Sequence, residues 1–569
     1  MKTTDMKTSR VGALKMKVPL SKWLKNGDPW IWINAGAVAI SLVMVFSLLI
    51  LIASKGLVHF WPHDVLEADI EKSEGGYYQI MGELVETETV SAIQLREAGY
   101  DIPDDLEFLD RHLLKLGNRD VTGGDFSWVL DADLIERRFP ENIIAMERRE
   151  WGNFYGYLLD VKEAGQVVVS GDAAWETLIE RIDRALAIHE DIYIIEKKQI
   201  GSINSKLERL RLKARRYALN EQLTPEKQRS LKQERTTLNE EYEGYQAELV
   251  ELYNKINRDS MSARTMDGTV VEVNMSQIVR AFQPNRMSLV EKLSFYVDKL
   301  VEFVSDDPRE ANTEGGIFPA IFGTVLMVIV MSIIVTPLGV VAAVYLREYA
   351  NQGAMTQIIR IAVNNLAGVP SIVYGVFGLG FFVYFLGSGI DQSLFPEALP
   401  SPTFGTGGML WASITLALLT LPVVIVATEE GLSRIPRSIR EGSLALGATK
   451  AETLWRVVLP MASPAMMTGV ILAIARAAGE VAPLMLVGVV KLAPSLPLDG
   501  NYPYLHLDQK FMHLGFHIYD VGFQSPNVEA ARPLVYATSL LLVIVIALLN
   551  LSAVAIRNRL REKYKALEV

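Results

Sequence analysis

Six blocks of apolar residues, each long enough to cross a bilayer, decide what this chain can fold into. They fall at residues 31–52, 317–346, 366–386, 409–428, 464–490 and 533–556. A helix rises about 1.5 Å per residue, so about 20 consecutive apolar residues cover a hydrocarbon core of roughly 30 Å. Inside that core every backbone N–H and C=O must be satisfied by its own segment, so such blocks become helices. We expect an α-helical integral membrane protein with six transmembrane helices. The first block follows a basic stretch, as the apolar core of a signal peptide does. It is too long for one, no small-residue cleavage pattern follows closely, and it reads as a retained anchor.

Lysine and arginine in the short loops set the orientation. Lys2, Lys7, Arg10, Lys15, Lys17, Lys22 and Lys25 precede the first block, and Arg557, Arg559, Arg561, Lys563 and Lys565 follow the last. Six spans put both ends on one side, and their basic residues place that side in the cytoplasm. The connection 389–408 carries Asp391 and Glu397 but neither Lys nor Arg, as suits an outside loop, whereas Arg347, Arg360, Arg434, Arg437 and Arg440 fall inside. The expected organisation is a cytoplasmic tail at 1–30, an anchor helix at 31–54, an external domain at 57–315, five spans within 317–556 with an inner loop at 429–460, and a cytoplasmic tail at 557–569. A net charge of −10 offers nothing to nucleic acid, and the lack of cysteine excludes disulfides and thiolate metal sites.

The external domain has a clear centre. Ile200, Ile203, Leu207, Leu210, Ala214 and Tyr217 step by threes and fours, as do Leu238, Tyr242, Tyr245, Leu249, Leu252 and Ile256, with Leu231 one heptad earlier. These are two a/d seams. Between them Thr224 and Pro225 read as N-cap and first helical residue, so the two helices should fold back as an antiparallel coiled-coil hairpin at about 190–258. It is either a spacer or a docking arm. Residues 165–170 and 268–273 look like strands, which makes the domain α+β. Residues 287–304 are apolar at helical spacing and could lie along the membrane surface.

No phosphate-binding G-x-x-x-x-G-K-[ST] loop occurs, so the chain does not hydrolyse ATP. His59/His63 and His513/His517 have the i,i+4 spacing of metal ligands but lack a third partner, and a structural role is favoured with no metal bound. Residues 441–460, on the inner side, differ from an ordinary loop. Two short helical stretches flank Gly447, where glycine permits a sharp turn, and Leu459-Pro460 should end the second stretch before the next span. The expected result is a rigid helix–turn–helix projecting into the cytoplasm.

This loop resembles the E-A-A-x3-G-x9-I-x-L-P motif of ATP-binding-cassette importer permeases. Glu441, Gly442, Ser443, Gly447, Val457, Leu459 and Pro460 occupy its positions, with Gly442, Ser443 and Val457 departing in letter but keeping small or apolar character. Thr336–Gly339, Tyr345–Ala350, Gly368–Gly375 and Ala475–Leu484 are further similar to phosphate-importer permeases of the PstA type. The resemblance implies a type I importer permease fold in a bacterial inner membrane, and a loop seated in a cleft of an ATPase. It also implies inorganic phosphate as cargo. The implied partners are a PstC-like second permease, a PstB-like ATPase dimer that uses the ATP, and a PstS-like phosphate-binding protein. No cofactor is implied for this chain itself.

Arg476 and Glu480 stand out because charge within a span is costly unless it faces protein or water. Counted from Pro464, Arg476 falls near the bilayer middle, with the small residues Ala475, Ala477, Ala478 and Gly479 leaving room for a ligand. Its planar fork suits an anion in passage, with Glu480 keeping the site from binding too tightly. A helix-packing ion pair is the plainer alternative. At the level of function, two alternatives stay open: a permease for another oxyanion such as molybdate or sulfate, and a membrane-anchored scaffold or receptor acting through its coiled coil.

Overall fold

The computed structural model describes residues 27–71, 77–97, 99, 102, 103, 105–525 and 528–564. The basic residues ahead of the first span, and Lys565 after the last, lie outside them. The chain divides into two units, Met1–Lys55 and Gly56–Val569. The described part of the first unit belongs to the helix Asp28–Val58, whose Trp30, Trp32, Val38, Ile40, Val43 and Phe46 are all exposed. An all-round apolar helix of this length is a membrane span.

Among the described residues, six helices are long and apolar enough to cross a membrane: Pro29–Val58, Phe318–Tyr349, Ser371–Leu394, Met409–Ser433, Lys450–Ala478 and Ala531–Glu562. The six expected blocks are there, but two have different ends. The third span starts at Ser371 because Pro370 biases the residue before it away from helix, and residues Ala354–Leu366 form a separate helix. The fifth stops at Ala478 rather than continuing to 490, with Gly479 as its cap and a short helix Ala482–Val487 beyond. Pro483 has no N–H to offer the Gly479 carbonyl, so the helix cannot continue through it. The expected stop at Leu459-Pro460 is also corrected. A wide turn at Leu454–Val458 carries the chain straight into Leu459–Ala478, and this wider turn accommodates Pro460, which has no N–H to return to the turn before it.

The spans bury one core, in which Met327, Met331 and Val335 of the second meet Leu416, Leu419 and Val424 of the fourth and Ala473, Ala477 and Ala478 of the fifth. Gly339 and Gly469 permit this closeness, since a Cβ at either would come within 2.6 Å of a fourth-span side chain.

Among the described residues, the segment between the first two spans holds two large antiparallel sheets and a small one that pairs Pro308–Arg309 with Glu314–Gly315. Val65–Glu71, Tyr77–Ser91, Phe108–Lys115, Phe126–Leu130 and Leu134–Arg138 form the first. The second is built from Ile143–Arg148, Phe154–Glu163, Gln166–Ser170, Asp259–Arg264, Val270–Asn274 and Ile278–Phe282. Phe154–Glu163 pairs both with Gln166–Ser170 and with Asp259–Arg264, so the helices between those two strands rise from one sheet. The rising helix begins at Ala174, well before the expected 190, because Ala174, Leu178, Ile182 and Ala185 bury against the sheet. It passes through a wide turn at Ile194–Ile200 into Gly201–Leu219, and the chain returns along Pro225–Ile256. Thr224 caps the returning helix, its hydroxyl accepting the Lys227 N–H at 3.3 Å. Ile203, Leu210 and Leu238 share a buried cluster with Leu207, Leu231, Tyr242 and Tyr245. At the base, buried Asp259 receives Arg181 and Arg184 at 3.2 and 2.7 Å, pinning the rising helix to the sheet, and its neighbour Arg258 at 2.8 Å.

Candidate functional site: the loop between the fourth and fifth spans, and Arg476

The loop after the fourth span folds as two helical limbs. Arg437–Ala445 is the first; Gly447 then turns the chain with φ +88°, a conformation that side chains resist. Thr449 opens the second limb with a capping box: its hydroxyl accepts the Glu452 N–H at 3.2 Å, while the Glu452 carboxylate accepts the Thr449 N–H at 2.9 Å. The Ser443 and Thr453 hydroxyls, 2.9 Å apart, tie limb to limb. Leu432, Ile435, Leu454, Val458 and Ala462 form a buried root. Of the expected loop residues, Glu441, Gly442 and Gly447 are exposed, and Ser443, Val457, Leu459 and Pro460 are half-buried on the limbs.

Three residues that sequence reasoning passed over complete the loop's surface. Leu444, Leu446 and Trp455 are exposed, Leu446 by 92% and Trp455 by 72%. Leu444 and Leu446 lie beside the turn at Gly447, and Trp455 lies on the second limb. The signal was present as apolar letters flanking Gly447.

A second missed feature joins the loop to the second span. The Arg440 guanidinium donates to a Glu348 carboxylate oxygen at 2.8 Å, and also to the Ile435 and Leu432 carbonyls at 2.7 and 2.8 Å. Lys450, from the other limb, donates to the Glu348 carbonyl and lies 4.5 Å from the centre of the Tyr349 ring. Both limbs therefore grip the end of the second span at one residue. Arg360 adds a neighbouring tie, to Glu429 at 3.2 Å.

Arg476 lies in the last turn of its helix, not midway along it, where a cation complements the carbonyl end. Its Nε is 3.7 Å from a Glu480 carboxylate oxygen, and both side chains are only partly buried. The helix has already ended between them, so this is no pair on a continuous helix. Ala477 and Ala478 do not leave room for a ligand: both are fully buried in the core among the spans. Beyond Glu480, Ala482–Val487 packs tightly on the third span, a Cβ at Gly375 falling 2.7 Å from the Pro483 Cα.

Of the paired histidines, His513 has a structural contact. The His513 Nδ1 accepts the Gly515 N–H at 3.1 Å and so caps Leu514–Tyr519. Burial pushes His513 and His59 down to about 3, and His517 to about 4. Their folded values lie below the unfolded value of about 6.5, so as pH falls under 6.5 the unfolded chain takes up protons that the folded one refuses. Stability should fall by up to about 1.4 kcal/mol per pH unit for each histidine. Melting curves between pH 7.5 and 5 should show this slope, and His513→Asn, which keeps a capping oxygen, should flatten it. Equal slopes for both proteins would contradict the assignment.

The family described as Binding-protein-dependent transport system inner membrane component matches residues 335–565, which include the whole loop and Arg476. The phosphate transport system permease protein PstA 1 of Mycobacterium tuberculosis is 38% identical over 247 residues, covering 43% of this chain and 71% of that protein. The chain belongs to the PstA family of binding-protein-dependent transport permeases. PstA of Mycobacterium leprae is 37% identical over 48% of this chain and 81% of its own length. The probable PstA of Methanocaldococcus jannaschii is 30% identical over 49% and 87%. A chain of the MetNI methionine transporter superposes with a TM-score of 0.32 at 19% identity, over 42% of this chain and 94% of its own, too loosely to bear on the fold. As a PstA-family member with six apolar helices, this chain is a multi-pass inner-membrane transport permease, a class whose members are not themselves enzymes.

Proposed function

We propose that this chain is the permease subunit of an ATP-driven phosphate importer, forming half of the translocation path and taking its power from a separate ATPase. The observation that carries the reading is the loop gripped at Glu348 by Arg440 and Lys450, with Leu446 exposed at its turn and Trp455 exposed on its second limb. A loop that is rigid within, exposed at the tip and bolted to a span is built to convert a partner's push into movement of that span. Glu441, Gly442, Ser443, Gly447, Val457, Leu459 and Pro460 form its frame.

Sidedness is part of the proposal. Arg216, near the far end of the rising helix, donates to Glu397 in the loop between the third and fourth spans at 2.8 Å. The Tyr193 hydroxyl reaches Asp307 at 3.0 Å, and Asn312 donates to the Lys491 carbonyl at 2.8 Å. The insert thus shares a side with the loop 389–408, which lacks basic charge, supporting a periplasmic α+β domain with an antiparallel coiled-coil hairpin and cytoplasmic termini. Tyr193 and Arg216 are 23 residues apart, about 35 Å of helix, so the hairpin works as a strut across that face rather than a free arm.

The partners of this reading are a PstC-like permease, a PstB-like ATPase dimer and a PstS-like phosphate-binding protein. Co-expression should let a tag on this chain recover the other membrane subunit and the ATPase in stoichiometric amounts. Recovery of this chain alone, with the partners present in the same membranes, would remove the proposal's basis.

A further inference from the structure

The helix Leu289–Ser305 exposes an apolar stripe beside a polar edge of Glu291, Ser294 and Asp298. Ser288 starts it with a capping box, donating its N–H to the Glu291 carboxylate at 2.7 Å. From there Leu289, Val290, Leu293, Val297, Val301 and Val304 are all exposed, between 44% and 78%. At 100° per residue they fill one arc about 120° wide.

The face turned into the protein carries Phe295, Leu300 and Phe303 together with the ions Lys299 and Glu302. Lys299 reaches Glu147 at 2.9 Å and Glu302 at 3.0 Å, and Glu302 meets Arg309 at 2.6 Å and Arg280 at 3.4 Å. These opposite charges hold the Glu147 carboxyl well below the usual range, against its burial, and raise Lys299. The helix thus buries Lys299 and Glu302, keeps Glu291 and Asp298 on an exposed polar edge, and presents a separate stripe of valines and leucines. A medium that rewards this arrangement is apolar.

Its seat is at the rim of the membrane. Phe303 shares a buried cluster with Ile317 and Ala320, at the start of the second span, and with Ala531 and Leu534, at the start of the last. Phe60 packs against Phe303 with ring centres 4.9 Å apart and planes tilted by 55°, and Trp61 lies 5.9 Å from Tyr296, the two residue types enriched at the headgroup level. We propose that Leu289–Ser305 lies in the plane of the outer leaflet, its apolar stripe sunk to the boundary of headgroups and acyl chains, and that this fixes the height at which the insert's base sits above the spans. The occupant of the stripe is phospholipid. The proposal rests on the second and last apolar helices being membrane spans.

The chain contains no cysteine, so a single introduced one can be spin-labelled without other changes. Val297→Cys and Val301→Cys would be labelled in the assembled complex, in nanodiscs of phosphatidylethanolamine and phosphatidylglycerol. Asp298→Cys, on the neighbouring exposed edge, is the aqueous reference, and Ile333→Cys, exposed on the second span, is the lipid reference. Collision with oxygen should exceed collision with an aqueous nickel chelate several-fold at 297 and 301, as at 333, and the order should reverse at 298. Free access of the nickel chelate to 297 and 301 would overturn the proposal by placing the stripe in water. Poor access for both reagents would overturn it by placing a protein there. Failure at 333 itself would instead strike at the span assignment.

Discussion

Glu348→Gln should leave the complex assembled and hydrolysing ATP while phosphate uptake per ATP falls roughly tenfold. The substitution keeps the size of the side chain and the backbone carbonyl that Lys450 uses, and removes only the charge facing Arg440. Both side chains of that pair are largely shielded, Glu348 at 13% exposure and Arg440 at 19%. The Gln oxygen can still accept from Arg440, so what is lost is the charge assistance of that hydrogen bond, an effect of about 1–1.5 kcal/mol, or roughly five- to twelvefold in the equilibrium between positions of the second span. The Arg440 carbonyl contacts to Leu432 and Ile435 hold the loop's own fold, so the loss should appear in coupling rather than in assembly. A double substitution, Glu348→Gln with Arg440→Gln, should cost less than the sum of the two single ones, because both act on the same contact. Full uptake per ATP in Glu348→Gln would show that the grip on the second span transmits nothing.

Arg476→Gln is the second large effect. Arg476 and Glu480 stand where the fifth span ends, half-buried and 3.7 Å apart, too far for a tight hydrogen bond. An ion pair that served only packing would be closer and better buried. This one leaves guanidinium donors uncommitted to the carboxylate, which an oxyanion in passage could take up. Hydrogen bonds to charged groups contribute about 1.5–3 kcal/mol, so Arg476→Gln should lower phosphate uptake roughly ten- to a hundredfold in folded, assembled complex. Arg476→Lys keeps charge but not the planar fork, and should recover only part. Undiminished uptake by Arg476→Gln would sink this role.

The spans were legible because long apolar blocks answer to one constraint, the satisfaction of backbone groups in hydrocarbon. Their ends were less so. Pro370 and Gly479 cut helices inside apolar runs, and at Pro460 a wide turn absorbed a proline that reads as a stop. In the insert, Thr224-Pro225 announced a helix start that the structure has, while strands such as Tyr77–Ser91, rich in Glu and Thr, carry no clean alternation. The loop's turn at Gly447 could be read locally. Its grip on Glu348 could not, since Arg440 lies 92 residues away and only tertiary packing brings the two together. For Arg476 the residue was legible but its surroundings were not: the alanines beside it belong to the core, and the helix ends where it was expected to continue.

Uptake of labelled phosphate by proteoliposomes holding the assembled complex, with its binding protein outside and ATP supplied to the ATPase, tests the central claim most directly. The account predicts ATP-dependent accumulation that unlabelled phosphate abolishes and that equal molybdate or sulfate leaves largely intact. Accumulation of molybdate or sulfate in preference to phosphate, or no ATP-dependent uptake by a complex whose ATPase is active, would contradict it.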